Sequence, residues 1–231
     1  MKKTIMTSPN IAKSFQSLFE TENKWMTILL ISVCALIPFV GPLALMGYTT
    51  RRFTNEREGK APIDFEFNDF VEYITIGVWP FLVNLVASCV LTPIIFIAVT
   101  PMILIGAVPE NGLLIAILVL LSCLLYFVAL IIYSLFSSPM TLRASLKHSF
   151  AEGFKIGWVI DFIKKVGWQI ILQGIILMLI SIPLVLAGYI VVSHMQFQLY
   201  DLYLERGGEA LQVHPQVLEG RPAGYIQEQA Q

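Results

Sequence analysis

Four long stretches of this 231-residue chain contain no Asp, Glu, Lys or Arg: 25–48, 74–106, 112–138 and 166–200. Charged residues make up only 13% of the sequence, about half the share of a soluble domain. Mean hydropathy is +0.74. These shortages exclude an ordinary soluble fold. The net charge of −1 excludes a global basic field, and with it nucleic acid as a partner. Cysteine is scarce and unpaired in pattern. Cys34, Cys89 and Cys123 lie far apart inside apolar runs with no CxxC spacing, so a zinc site or disulfide framework is excluded and buried small hydrophobes are expected. There is no glycine-rich phosphate loop and no nucleophile motif. The chain therefore reads as non-enzymatic, with no cofactor. Thr4 to Lys24 contains no apolar run behind Met1-Lys2-Lys3, so the start does not read as a cleaved secretion signal.

What is present is the pattern of an all-α, polytopic helical membrane protein. A charge at the bilayer centre costs roughly 2.5–3.5 kcal/mol on insertion scales, and each of the four uncharged blocks approaches or exceeds the roughly 20 residues needed to span. The organisation reads as a polar N-terminal segment (1–24) with a short amphipathic stretch (Ile11, Phe15, Leu18, Phe19), a helical transmembrane domain (25–206) and a disordered Gly-, Pro- and Gln-rich tail (207–231).

The fifteen Lys and Arg decide the expected topology. Four precede the first block (Lys2, Lys3, Lys13, Lys24), and four follow it (Arg51, Arg52, Arg57, Lys60). None lies in 107–111. Five lie in 139–165 (Arg143, Lys147, Lys155, Lys164, Lys165), and two in the tail (Arg206, Arg221). If every block crosses once, the cations split six against nine, which no orientation reconciles with the positive-inside rule. If the first and last blocks return to the side they entered, all fifteen share one side. Prolines supply the turning points. Pro38 and Pro42 break the first block around Gly41, Pro93 and Pro101 interrupt the second, and Pro183 breaks the fourth. Re-entrant first and last blocks are expected, the alternative being single-pass helices kinked at these prolines, with both termini in the cytoplasm and the turn at 109–112 outside.

The connectors hold the candidate interface residues. Arg51, Arg52, Arg143, Lys147, Lys155, Trp158, Lys164 and Lys165 are expected at the headgroup layer. Leu142, Leu146, Phe150 and Phe154 recur every four residues as the apolar stripe of a basic amphipathic helix lying on anionic lipid. Asp64, Glu66, Asp69 and Glu72 sit among aromatics and read as an interfacial segment rather than a cation site, with Asp69 capping the helix into the second block. Within the blocks the polar residues are uncharged: Asn84, Ser88, Thr92, Ser122, Gln169, Gln173, Ser181. His194, near one end of its block, is the exception as an ionisable group and reads as a packing residue. Trp25, Ile37-Pro38 and Gly47-Tyr48 are faintly echoed by Trp168, Ile182-Pro183 and Gly188-Tyr189, at different spacings.

Several of these features together resemble an uncharacterised prokaryotic membrane family, the domain of unknown function 4013. They are Trp25, Ile37-Pro38, Gly47-Tyr48 followed by Arg51-Arg52, the Pro62 stretch ending in Asp69-Phe70, Ile76-Gly77, Pro139 and Phe150-Ala151-Glu152-Gly153-Phe154. The likeness covers roughly 20–205, with Phe65 where the family usually has Trp. It implies a polytopic helical protein of the prokaryotic cytoplasmic membrane and supplies no activity. The function expected is that of a scaffold, complex subunit or membrane-organising protein whose partner is the bilayer, with anionic headgroups, a second copy or another membrane protein as further partners. The alternative is a small transporter or permease subunit.

Overall fold

The computed structural model describes residues 9–103, 112–180 and 188–219, and every regular element among them is helical. Six helices are long. They are α1 (Lys24–Ala35), α2 (Val40–Arg57), α3 (Phe70–Ile103), α4 (Gly112–Lys147), α5 (Ile156–Ile180) and α6 (Gly188–Glu205). Short α-helical turns at Ile11–Gln16, Phe150–Gly153 and Pro215–Glu219, with 3-10 turns at Ser17–Phe19 and Phe67–Asp69, complete the regular structure of the described residues.

The long helices pair in antiparallel fashion. In α1 and α2, Cys34 lies against Gly41 while Ser17, upstream of α1, meets Arg52 near the far end of α2. In α3 and α4, Asn84 meets Ser137, Ser88 meets Tyr133, and the Ala98 carbonyl accepts from Ser122. In α5 and α6, Asp161 meets Tyr203 and Gln173 meets Val192. The first block is thus two helices joined by a turn at 36–39, and the two helices flanking Pro183 also run back along one another. Pro183 itself and the turn at 109–111 lie outside the described residues.

Proline does different work at different places. Pro38 sits between α1 and α2, where the missing N–H is free of cost. Gly41, expected to make this turn, instead lies inside α2. A Cβ there would come within 2.0 Å of the Cys34 carbonyl, so its bareness serves close helix packing. The left-handed conformation falls on Phe39, at φ 60. Pro42 is no break, because it occupies the first turn of α2, where its N–H has no intrahelical partner. Pro93 and Pro101 are no breaks either. α3 runs through them and through Pro80, and α4 runs through Pro139. A pairing helix and neighbouring hydroxyls compensate the lost bonds in such helices.

α3 and α4, with 34 and 36 residues, would each extend about 50 Å, against a hydrocarbon core of about 30 Å. In the most apolar window of each, only 17% and 11% of residues are buried inside the protein. A soluble core helix of that hydropathy would be covered. Here Leu85, Val90, Phe96, Ile97, Leu113, Ile117, Leu120 and Leu124 all face outward. Cys89 and Cys123 share that outward surface, and Cys34 is the buried cysteine.

Two cores lie at the opposite end of this pair. One gathers Tyr48, Phe65, Tyr73, Ile31 and Met195 where α1, α2 and α6 meet. The other gathers Phe53, Leu146, Trp158, Phe162, Tyr200 and Tyr203. The stripe expected to lie on lipid belongs to this second core. Leu142 and Leu146 are buried on the last turns of α4, while Phe150 and Phe154 pack against the same cluster. The stretch 141–158 is therefore three pieces folded on protein, since its four-residue spacing suits a buried helix face as well as an interfacial one. The described part of the tail, 207–219, packs on the protein. Leu211 and Val217 are buried, the His214 N–H donates to the Leu146 carbonyl at 2.9 Å, and the Leu211 N–H donates to the Tyr200 hydroxyl at 2.7 Å.

Candidate functional site

Gly47 and Gly77 set the geometry from which the site is built. A Cβ on Gly47 would lie 1.8 Å from the Tyr73 carbonyl oxygen, and one on Gly77 would lie 1.9 Å from that of Leu43. Backbones of α2 and α3 therefore touch, and only glycine allows it. This contact fixes the neighbours of Gly47. Tyr48 donates to the Ile63 carbonyl at 3.0 Å, and Arg51 pairs with Glu72 at 2.6 Å and Asp69 at 3.4 Å.

All described Lys and Arg gather at the end of the molecule away from the 36–39 turn and from the exposed apolar halves of α3 and α4. Arg57 pairs with Asp201 at 3.2 Å, Lys165 with Asp161 at 2.8 Å, and Arg206 reaches Gln169 at 3.2 Å. Of the eight residues expected at the headgroup layer, three are inside protein. Arg52 has no exposed surface; it donates to the Ser17 carbonyl, to the Tyr48 hydroxyl at 3.3 Å and to Glu56 at 3.3 Å. Arg143 is buried against Glu152 at 2.8 Å and over the ring of Trp158, which is itself buried. Arg52 finds several partners inside the protein, whereas Arg143 is held by Glu152 and the Trp158 ring and keeps two guanidinium nitrogens without a hydrogen-bond partner. Arg51, Lys155 and Lys165 reach solvent but are paired, and Lys164 is exposed. Lys147 is half-buried, and neither it nor Lys164 has a direct ion pair among the described residues. Glu152, clasped first by Lys155 and then by Arg143, has its carboxyl held below the usual carboxylate range. Asp64 accepts from the Asn23 backbone at 3.2 Å and from Thr27 at 3.0 Å, which makes it a clamp between the first connector and α1.

His194 is a packing residue. It is buried, 2.9 Å from the Ser14 hydroxyl and 3.1 Å from the Gln198 amide, and its ring packs at a tilt against Phe53. Gly188, placed by the sequence echo beside Gly47, has open space where Gly47 has backbone, so the echo does not extend to this packing.

The uncharged polar residues do converge. Between α4, α5 and α6 lies a cavity of about 370 Å³, lined by Phe127, Tyr133, Ser134, Ser137, Gln173, Gly174 and Gln196 among others. A second cavity of about 240 Å³, among α2, α3, α4 and α6, shares Tyr133, Ser137, Val192 and Gln196 with the first and adds Asn84, Thr49, Thr50 and Thr141. Neither has a charged residue in its lining. The Asn84 side-chain oxygen accepts from Tyr133 at 2.6 Å and from Ser137 at 3.2 Å, which closes one wall. Gln173 is 5% exposed; its amide nitrogen donates to the Val192 carbonyl at 3.4 Å, and its oxygen has no partner. Sequence reasoning saw Asn84 and Gln173 as separate intramembrane polar residues. It missed Ser134, Tyr133 and Gln196, whose only signal is their placement in otherwise apolar runs.

Antiparallel helices under one charged end, with two of them apolar and uncovered over most of their length, define an all-helical membrane protein. Residues 30–194 match the family described as "Protein of unknown function (DUF4013)", and the chain belongs to that family. No curated protein and no solved structure matches it.

Proposed function

We propose that this chain is a non-enzymatic membrane-organising protein whose helical pairs all enter the bilayer from one face, the cytoplasmic one. The observation that carries this reading is the antiparallel pairing of α1 with α2, α3 with α4 and α5 with α6, which gathers every described Lys and Arg at one end. The uncharged part of α2, residues 40–50, would extend about 16 Å, half the hydrocarbon core. The α1–α2 turn therefore suits a re-entrant wedge that displaces lipid from one leaflet, while α3 and α4 are long enough to cross. Of the eight residues expected at the headgroup layer, Lys147 and Lys164 are the ones left to meet anionic headgroups.

The test is single-cysteine labelling with a membrane-impermeant reagent in a chain lacking Cys34, Cys89 and Cys123. Lys60→Cys, Lys155→Cys and Glu209→Cys are exposed positions. All three should stay unlabelled in intact cells and label after lysis, whereas Asn111→Cys should label from outside. Lys60→Cys labelled from outside would mean a single crossing by the first block and would end the one-face reading. Reconstituted vesicles of unchanged shape, with no co-purifying partner, would remove the organising role. A second reading, a small transporter or permease subunit, has the uncharged cavity in its favour. Saturable uptake into proteoliposomes, lost on Asn84→Ala, would put it first.

A further inference from the structure

We infer that the cavity between α4, α5 and α6 is a binding site for a single-chain amphiphile with an uncharged, hydroxyl-bearing headgroup. The inference rests on the membrane reading above, because its apolar edge is useful only with lipid around it. Two independent features point to that chemistry. The first is Gln173, buried to 95%, whose side-chain oxygen is the unsatisfied acceptor of this wall. A buried acceptor without a donor is costly, and the natural remedy is a ligand O–H. The second is the composition of the lining. Ser134, Ser137, Tyr133 and Gln196 can both donate and accept, yet no Lys, Arg, Asp or Glu lines the space. A phosphate or carboxylate would enter with no counter-charge, which a low-dielectric site disfavours strongly. The volume, about 370 Å³, lies within the range of small-molecule pockets. Phe127 and Ile175 form an exposed apolar edge, so a chain can trail between α4 and α5 while the head sits at Gln173. The small residues facing one another here do not close the gap: a Cβ on Gly174 would find its nearest neighbour, the Ser134 hydroxyl, at 3.6 Å.

The experiment uses the full chain in nanodiscs, with two photoactivatable probes carrying a diazirine on the acyl chain. One is a monoacylglycerol and the other a phosphatidylcholine. The monoacylglycerol should label residues of the 127–138 and 170–175 walls. Unlabelled monoacylglycerol should compete that label at least tenfold better than lysophosphatidic acid of equal chain length. Free glycerol should not compete; if it does, the ligand is a soluble polyol and the amphiphile is wrong. Gln173→Leu should lower cavity labelling at least tenfold. Gly174→Val, which fills the space without touching Gln173, should do the same. Ser122→Ala, outside the cavity, should leave it unchanged, and all three should keep the wild-type helical signal and elution volume. Equal labelling of wild type and a folded Gly174→Val chain overturns the site. The phosphatidylcholine probe separates the two levels of the argument. If it labels the outward faces of α3 and α4 while the cavity stays empty of monoacylglycerol, the site fails and the membrane reading stands. If it labels neither face, the membrane reading itself fails.

Discussion

Replacing Gly77 by alanine tests the packing that positions everything else. The added Cβ would sit 1.9 Å from the Leu43 carbonyl oxygen and 2.8 Å from the Gly47 nitrogen. A carbon–oxygen contact relaxes near about 3.3 Å, so α2 and α3 must part by about 1.4 Å. Both obstacles are backbone, and no side chain can rotate away. Overpacking of this kind costs about 1–3 kcal/mol, and a gap of 0.5–1 Å already forfeits about a quarter to a half of each contact's dispersion energy. Restricting the unfolded chain returns about 0.4–1 kcal/mol. The net expectation for Gly77→Ala is a loss of about 2 kcal/mol, read as reversible unfolding in mixed micelles titrated with SDS and followed by circular dichroism. Gly157→Ala is the internal control, since open space surrounds that position and a gain of about 0.5 kcal/mol is expected. Gly47→Ala should resemble Gly77→Ala, and the double variant should lose much less than the sum, because helices already parted accommodate the second methyl. A Gly77→Ala chain within about 0.5 kcal/mol of wild type, or strictly additive losses, would refute the close crossing.

Arg52→Met removes the buried guanidinium that ties α2 to the segment before α1, and should cost about 3 kcal/mol in the same titration. Lys155→Met, which removes an exposed partner of Glu152, should cost under about 1 kcal/mol. If Arg52→Met leaves stability intact and instead weakens binding to anionic vesicles, Arg52 is a headgroup ligand after all. His148 is the group through which acidity should reach the tail. Burial first, and then the His214 ring 5.3 Å away, hold its pKa below the ordinary 6.5, while Trp79, edge-on from α3, adds no charge. A depressed histidine stabilises the docked form above about pH 6.5, and that stability is lost as pH falls below it. The protection factors of the Leu211 and His214 amides, measured against the slower intrinsic exchange at lower pH, should fall between pH 7.5 and 5.5, and His148→Gln should abolish the fall. Equal protection at both pH values would show that the tail docks independently of His148.

The features legible in sequence were those that composition alone controls. Uncharged blocks reveal the membrane class because lipid penalises charge wherever the chain turns, and the one-sided cations expressed the same constraint. Pro38 revealed the α1–α2 turn because it lacks the N–H that a continuing helix needs. Partner-dependent features were not legible. Arg51 and Arg52 are adjacent, yet one reaches solvent beside Asp69 and Glu72 and the other is sealed under Ser17 and Tyr48. A one-residue step on a helix turns the side chain by about 100°, and only the neighbour decides which faces protein. Likewise Leu142 and Leu146 show the same spacing whether they meet lipid or Trp158. The tail's Leu211 and Val217 are too few to predict docking, but two anchors suffice when the Tyr200 hydroxyl and the Leu146 carbonyl hold the backbone.

The glycines and arginines together explain how helices in lipid find a fixed arrangement. Acyl chains are as apolar as leucine, so burial of apolar surface drives little association between membrane helices, and close packing and hydrogen bonds must supply it. Close packing is strongest where Gly47 and Gly77 let α2 and α3 touch. Hydrogen bonding is strongest at the charged end, where Arg52 gathers the N-terminal segment onto α2 and Arg143 ties α4 to Glu152 and Trp158. Between α4 and α5 small residues face one another again, Ser134 across from Gly174, but with no comparable contact and with Gln173 left a bond short. Small residues permit close approach without compelling it. In α2 and α3 they are drawn together and make a joint; in α4 and α5 they remain apart and leave a chamber. The same residue chemistry thus supplies both the rigid crossing and the space beside it, and the unsatisfied amide is what distinguishes a site from a packing gap.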